Sequence, residues 1–250
     1  MSAFGLLIIG DELLSGKRQD KHLGRVIAML AQRGLELSWA RILGDEPRVL
    51  VRNLRESFAG GDIVFSCGGI GATPDDRTRQ CVAEALQLPL ALQPEGVAEI
   101  EAQFGERAWP QRVKMAEFPQ GAEIIPNPVN RVSGFSLRDH HFVPGFPHMA
   151  WPMLEWVLDT HYPHLHAPGA VAEQAIIVRD AREGDLIPLM EDFVARYPAL
   201  RLSCLPSGAS EQYYLELGLR GAGELVASAM QALRAELEAR GYRWEPIALT

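Results

Sequence analysis

Long apolar runs are missing from this 250-residue chain. Nowhere do about 18 consecutive apolar residues occur, the length a helix needs to cross a bilayer. The N-terminus, MSAFGLLIIGDELL, has no basic stretch ahead of its short apolar run and soon meets acid, so a signal peptide is not expected. Cysteine is scarce. The three present, Cys67, Cys81 and Cys204, are odd in number and fit neither a disulfide framework nor a CxxC metal site, which points to a reducing, cytoplasmic setting. Positive charge is in deficit too: 24 basic against 32 acidic residues leave a net charge of −8, which argues against a nucleic acid partner. An anionic ligand would then need local dipoles, selected arginines or a metal to hold it. Internal repeats and low-complexity tracts are also absent.

What is there is a 47% hydrophobic composition, enough for a real core. Phe4 to Ile9 reads as a strand, residues 20 to 33 as a helix with Leu23, Val26, Ile27 and Leu30 on one stripe, and Leu35 to Leu43 as a second strand. Asp45 is placed to cap a helix that holds Pro47 in its first turn and ends at Gly60 and Gly61. Asp62 to Cys67 is a third strand and Thr78 to Leu86 the next helix. This alternation predicts a mostly parallel sheet with helices on both faces, whose ligands gather beyond the carboxyl ends of the strands. Pro94 to Ala108 then reads as a helix, Gly134 to Arg138 and His141 to Val143 as a hairpin turning near His140 and His141, and residues 148 to 159 as an apolar helix. "HYPHLHAPGA", residues 161 to 170, reads as a linker. Beyond it Gln174–Arg179, Asp185–Tyr197, Leu200–Leu205, Gln212–Leu219 and Glu224–Arg240 form a β-α-β-β-α pattern, a small α+β domain.

The chemistry concentrates in "FSCGGIGATPDDRTRQ", residues 65 to 80. Glycines at 68, 69 and 71 permit positive φ and let backbone N–H groups converge on an anion at a helix N-terminus. The pattern matches neither GxGxxG nor GxxxxGK[ST], and "GDELLSGKR" misses the latter by one residue between its glycines. Asp75 and Asp76 beside such a cradle would repel a phosphate unless a divalent cation bridges them; alternatively one of them only caps the helix from Thr78. Asp11 and Glu12, at the end of the first strand, and Asp45, after the second, can converge on the same crevice. Asp20 reads equally as a helix cap. His161, His164 and His166 have no carboxylate or cysteine at zinc spacing and give no metal site. Trp151 and Trp156 read as packing, and Cys67 as a buried small residue without a catalytic role.

"IGDELLSGKRQDKH", "GDEPRVL", "CGGIGATPDDRT", "IPNPVNRVSGF" and "FVPGFPHMAWPML", in that order, resemble the MoaB/Mog (MoCF) molybdopterin-binding domain, in particular the N-terminal part of the CinA competence/damage-inducible family. The resemblance covers about residues 3 to 165. It implies a three-layer α/β/α fold over residues 1–167, a small KH-like α+β domain over 168–250, and a homo-oligomer, dimer or trimer. By position it makes Asp76, with Asp75 and Asp45, the catalytic set, and Gly68, Gly69, Gly71 and Thr78 the phosphate cradle. The quoted motifs add Gly10, Asp11, Glu12, Thr73, Pro144 and Gly145 to the ligand-binding set. The activity it implies is cleavage of ADP-ribose or a related dinucleotide with Mg²⁺ or another divalent cation, held by Asp75 and Asp76. Adenylyl transfer to molybdopterin is the alternative, and a non-catalytic nucleotide- or pterin-binding module a third reading. The third rests on departures: "DKH" at 20 to 22 replaces an Asn-Thr-Asn-like run, Asp11 replaces a threonine, and Met149 stands where glutamate is usual. Thr250 falls short of the further domain that carries nicotinamide mononucleotide deamidase activity in full-length CinA, so that activity is not expected. No GxxG clamp is found in "SGAS" or "RGAGE", and RNA binding is not expected.

Overall fold

A computed structural model describes residues 3–207 and 213–247. Two compact units divide between His166 and Ala167. In the first, β1 (Phe4–Ile9), the one-turn α1 (Asp11–Leu14), α2 (His22–Gln32), β2 (Leu37–Leu43), α3 (Pro47–Gly60), β3 (Ile63–Cys67) and α4 (Thr78–Leu86) follow one another. Next come β4 (Leu90–Leu92), α5 (Pro94–Phe104), two 3₁₀ turns at Gly105–Ala108 and Arg112–Ala116, β5 (Glu117–Pro119), β6 (Glu123–Ile125), β7 (Gly134–Leu137), β8 (His140–Val143) and α6 (Pro147–His161). The main sheet runs β2-β1-β3-β8-β7-β6, and β4 pairs with β5. Strands β2, β1, β3 and β8 are parallel, while β7 and β6 extend the sheet antiparallel. The mixed, mostly parallel α/β fold agrees with expectation.

Strand periodicity divides the core into two layers, since successive side chains point to opposite faces. Leu6, Ile8, Phe65, Cys67 and Val143 pack with Val26, Met29 and Leu30 of α2 and Met153, Leu154 and Val157 of α6. Leu7, Ile9, Val64 and Phe142 face the other way, onto Leu50, Val51 and Leu54 of α3 and Cys81 and Val82 of α4. Each such side chain stabilises by about 1.5–3 kcal/mol when fully buried. The central strands β1 and β3 therefore read as nearly unbroken apolar runs, because both of their faces are covered, whereas the edge strand β2 alternates and leaves Ser38, Ala40 and Ile42 exposed.

Several boundaries depart from the sequence reading. The hairpin turns at Arg138 and Asp139, with Arg138 in the left-handed region, and His140 and His141 lie inside β8. Both rings are buried and partnered: His140 Nε2 bonds Ser57 Oγ at 2.7 Å and the ring stacks on Phe58, while His141 joins Ser136 Oγ to the Tyr162 hydroxyl. The linker also starts later than expected. Tyr162 is buried in the core and donates to Asp139, and Leu165 packs on the same cluster, so the first half of 161–170 belongs to this unit.

The second unit comprises β9 (Val171–Arg179), α7 (Glu183–Arg196), β10 (Arg201–Pro206), β11 (Tyr214–Ala222), α8 (Gly223–Ala239) and β12 (Arg243–Pro246). Its antiparallel sheet is ordered β10-β11-β9-β12. Strand β12 was not anticipated, because Trp244 is its only strongly apolar side chain. Ile176, Val178, Leu215, Leu217 and Leu219 pack against Leu189 and Phe193 of α7 and Val226, Met230 and Leu233 of α8. Gln212 and most of "SGAS" lie outside the described residues; "RGAGE" is the junction of β11 with α8.

Burial lowers the pKa of both His140 and His141 to about 3, with help from Arg138 at the first and His161 at the second. A folded value below the unfolded 6.5 means that the stability these residues confer is complete above pH 6.5 and is lost as pH falls toward 3. Urea unfolding between pH 6.5 and 4.5 is expected to lose stability with a slope per histidine that grows from about 0.7 to about 1.4 kcal/mol per pH unit. A flat profile would show that the two rings are not held neutral.

Candidate functional site

The loops that follow β1, β2, β3 and β8 meet at the carboxyl ends of the parallel strands. There a cavity of about 470 Å³ opens, lined among others by Gly10, Glu12, Arg18, Asp45, Gly69, Gly71, Thr73, Asp75, Asp76, Pro144 and Gly145. That volume falls within the range of small-molecule sites. Ten of the thirteen residues singled out from sequence line it: three catalytic candidates and seven binding candidates. Asp11, Gly68 and Thr78 do not, and each is occupied in building the loops.

Asp11 and Asp45 cap each other's backbone. The Asp11 N–H donates to Asp45 Oδ2 at 2.9 Å, and the Asp45 N–H donates to Asp11 Oδ1 at 3.1 Å. Asp45 is therefore not the N-cap of α3; Glu46 holds that position, without a side-chain cap. Burial raises the Asp45 pKa, and the nearby carboxylates of Asp11, Glu12 and Asp75 push it further, against the Asp11 N–H, which lowers it. Asp20 does act as a cap, accepting from the N–H groups of His22 and Leu23.

The glycine turn after β3 is enforced by close contact. Gly68 has φ +114°, and a Cβ there would collide with the Ile9 carbonyl of the neighbouring strand. Buried Thr78 fastens the turn by donating its hydroxyl to the Gly68 carbonyl at 3.1 Å, and its N–H donates to the Gly69 carbonyl at 2.9 Å. Thr78 therefore shapes the cradle from behind. Asp76 does not cap α4; its Oδ2 accepts from the Thr73 N–H at 3.0 Å and from the Thr73 hydroxyl. A Cβ on Gly71 would lie 2.5 Å from that same oxygen, so the carboxylate can sit against the turn only because Gly71 has none. The Thr73 hydroxyl, whose one proton is shared between the two carboxylates, and Asp75's own N–H hold exposed Asp75 below the usual carboxylate range.

Two arginines escaped the sequence reading. Arg18 is the only lysine or arginine among the described residues lining the cavity, brought back to it by its N–H donating to the Glu12 carbonyl at 3.0 Å. Its signal was the short glycine-bounded stretch 10–16, which must turn the chain. Arg79 is buried behind the turn, donating to the Gly71 carbonyl at 2.5 Å and to the Lys114 carbonyl; burial lowers its pKa while Asp76 raises it. Phe104, Met115, Asn130, Phe146 and Met149 complete the wall. Their positions depend on packing of distant loops, for which no local pattern exists.

The histidines do not join this site. His161 and His164 line a separate cavity with His141 and Tyr162, and among the described residues no three His, Cys, Asp or Glu side chains are gathered so as to hold a metal by themselves. Cys67 is fully buried, which drives its thiol well above the ordinary value.

A family model described as "probable molybdopterin binding domain" matches residues 5–167. A CinA-like protein of Thermomicrobium roseum is 36% identical over 57% of this chain and 37% of its own length. Another, from Syntrophotalea carbinolica, is 28% identical over 94% of this chain and 57% of its own length, so this chain spans only part of either relative. In fold, the first unit is similar to the crystal structure of the protein CinA from Thermoplasma acidophilum, with a TM-score of 0.58 and 24% identity over 63% of this chain and 96% of that one.

Gly68→Ala is expected to cost about 2–3 kcal/mol, since it combines a left-handed backbone with a carbonyl collision. Chemical denaturation measures this, and a loss under 0.5 kcal/mol would show that the turn is freely deformable. Glu12→Gln is expected to lower the Asp45 pKa by removing a neighbouring negative charge. Carboxyl NMR titration reads the shift, and an unchanged value would place Glu12 out of electrostatic reach.

Proposed function

The chain belongs to the molybdopterin-binding-domain family, and on that premise we propose that its crevice binds a phosphate-bearing nucleotide or pterin and cleaves the diphosphate of ADP-ribose or a related dinucleotide. The observation that carries this reading is the shared wall: Glu12, Asp45, Asp75 and Asp76 line the same cavity as Gly10, Gly69 and Gly71, with Arg18 alone to offset them. A diphosphate entering such a field is repelled unless a divalent cation accompanies it.

The donor set fits a small hard cation. Mg²⁺ binds through one or two carboxylates, keeps several waters and takes phosphate oxygens as further ligands, so it needs no cage of protein side chains. Asp75, exposed and with its pKa lowered, and the Asp76 oxygen that Thr73 leaves free would hold it. Bound there, it would neutralise phosphate charge and polarise phosphorus. The turn at Gly69 and Gly71 admits the diphosphate to close approach, Arg18 pairs with the departing phosphate, and Asp45 accepts the proton of the attacking water. A carboxyl raised toward operating pH is the better base for that task.

The family description supports a pterin ligand, and in a second reading the same crevice transfers an adenylyl group to it; adenylylated pterin instead of AMP and ribose phosphate would identify it. Met149 in the wall, a thioether that can neither hold a hard cation nor move a proton, favours binding without conversion.

ADP-ribose incubated with Mg²⁺ is expected to yield AMP and ribose 5-phosphate, and Asp76→Asn to slow this by about 10²-fold or more. No turnover, or turnover indifferent to Asp76→Asn, would remove the hydrolase reading.

A further inference from the structure

A second cavity of about 470 Å³ opens in the first unit at the amino ends of β3 and β8, the other end of the sheet from the crevice. It shares no lining residue with the crevice. Four of its side chains form one hydrogen-bonded chain. Ser136 Oγ and His141 Nδ1 are 2.8 Å apart, His141 Nε2 and the Tyr162 hydroxyl 2.7 Å, and that hydroxyl donates to Asp139 Oδ1 at 2.9 Å. The hairpin sets the first of these contacts, because Ser136 and His141 are directly opposed across β7 and β8.

The protons of the chain can be ordered in only one way. Tyr162 has a single hydroxyl proton and gives it to a carboxylate, so it accepts from His141, and Nε2 carries the ring hydrogen. Nδ1 then bears the lone pair, and the Ser136 hydroxyl donates to it. Burial keeps the imidazole neutral, and burial together with Asp139 keeps the Tyr162 phenol protonated. A hydroxyl aimed at a neutral imidazole, whose far nitrogen is held by a partner ending in a carboxylate, is the arrangement that turns a serine into a nucleophile.

We propose that this cavity is a second active site, in which Ser136 attacks small carboxylic esters with His141 as its base. Tyr162 and Asp139 are positioning residues that fix the ring. The Ser136 oxygen adds to the ester carbonyl carbon as its proton passes to His141 Nδ1. Collapse breaks the bond to the leaving oxygen, which takes that proton away as the alcohol and leaves an acyl-serine. Water then attacks the acyl carbon, gives its proton to the same nitrogen, and releases the carboxylic acid as the proton returns to Ser136. His161 and His164 make ring-against-ring contacts and line the same cavity, so their N–H groups are at hand for the oxygen that gains charge. Ser136 keeps only 7% of its surface exposed, which admits a small acyl group. The weak basicity of a buried imidazole selects esters of acidic alcohols such as phenols.

The full chain with p-nitrophenyl acetate is expected to release p-nitrophenolate in a burst followed by slower turnover. With an alkyl fluorophosphonate it is expected to carry one adduct, placed on Ser136 by peptide mass spectrometry. Ser136→Ala, checked by its thermal midpoint, should abolish both; should that variant not fold, the position of the wild-type adduct decides. Asp139→Asn, at an exposed position, keeps an oxygen for Tyr162 but loses the charge, and is expected to lower kcat about tenfold or more with KM unchanged. No adduct on Ser136 of the wild type, hydrolysis that survives in folded Ser136→Ala, or an unaltered kcat in Asp139→Asn would overturn the assignment.

Discussion

Mutual capping of Asp11 and Asp45 joins the loops after β1 and β2, and the rest of the crevice is arranged around that joint. Each carboxylate satisfies the other residue's backbone N–H, which fixes two loops from separate strands relative to one another. The same bonds hold acidic groups closer together than water alone would favour. Burial raises the pKa of Asp45, and the neighbouring carboxylates add to that against the Asp11 N–H, which lowers it.

The third loop is held by a different device. A left-handed glycine against a neighbouring carbonyl, a buried threonine hydroxyl and a buried arginine together shape residues 68–76 from behind, leaving the cavity side free. Arg79 has a further effect. Buried beside Asp76, it supplies positive charge from the protein interior where the cavity surface offers only Arg18. Strain and buried charge of this kind persist when the surrounding sheet over-determines them, and here the central strands β1 and β3, covered on both faces, do so.

The segment made of α5 and the two 3₁₀ turns after it, which carries Phe104 and Met115, stands in contrast. It is tied to its neighbours by the β4–β5 pairing, the Arg79 bond to Lys114 and a bidentate Arg131–Glu99 pair at 2.7 and 3.0 Å, which is exposed and contributes little on its own. An end of the crevice built from glycines and carboxylates on the parallel sheet thus adjoins a lightly anchored apolar end.

Residue order alone determined the alternating strands and helices, the helix from Thr78, the convergence of acid and glycine at strand ends, and the likeness to a family. Apolar periodicity and glycine placement are local properties, and a parallel sheet follows from them almost without choice. Which face of each aspartate is used was not local. Asp45 and Asp76 stand where helix caps are common, yet one is claimed by a backbone N–H 34 positions away and the other by Thr73. Arg79 likewise takes its role from Lys114, 35 positions away, while Arg18 and Asn130, tied locally, meet the other site residues only where separate loops come together. Side-chain partnership depends on which donors the folded backbone leaves unpaired, and only the tertiary structure decides that.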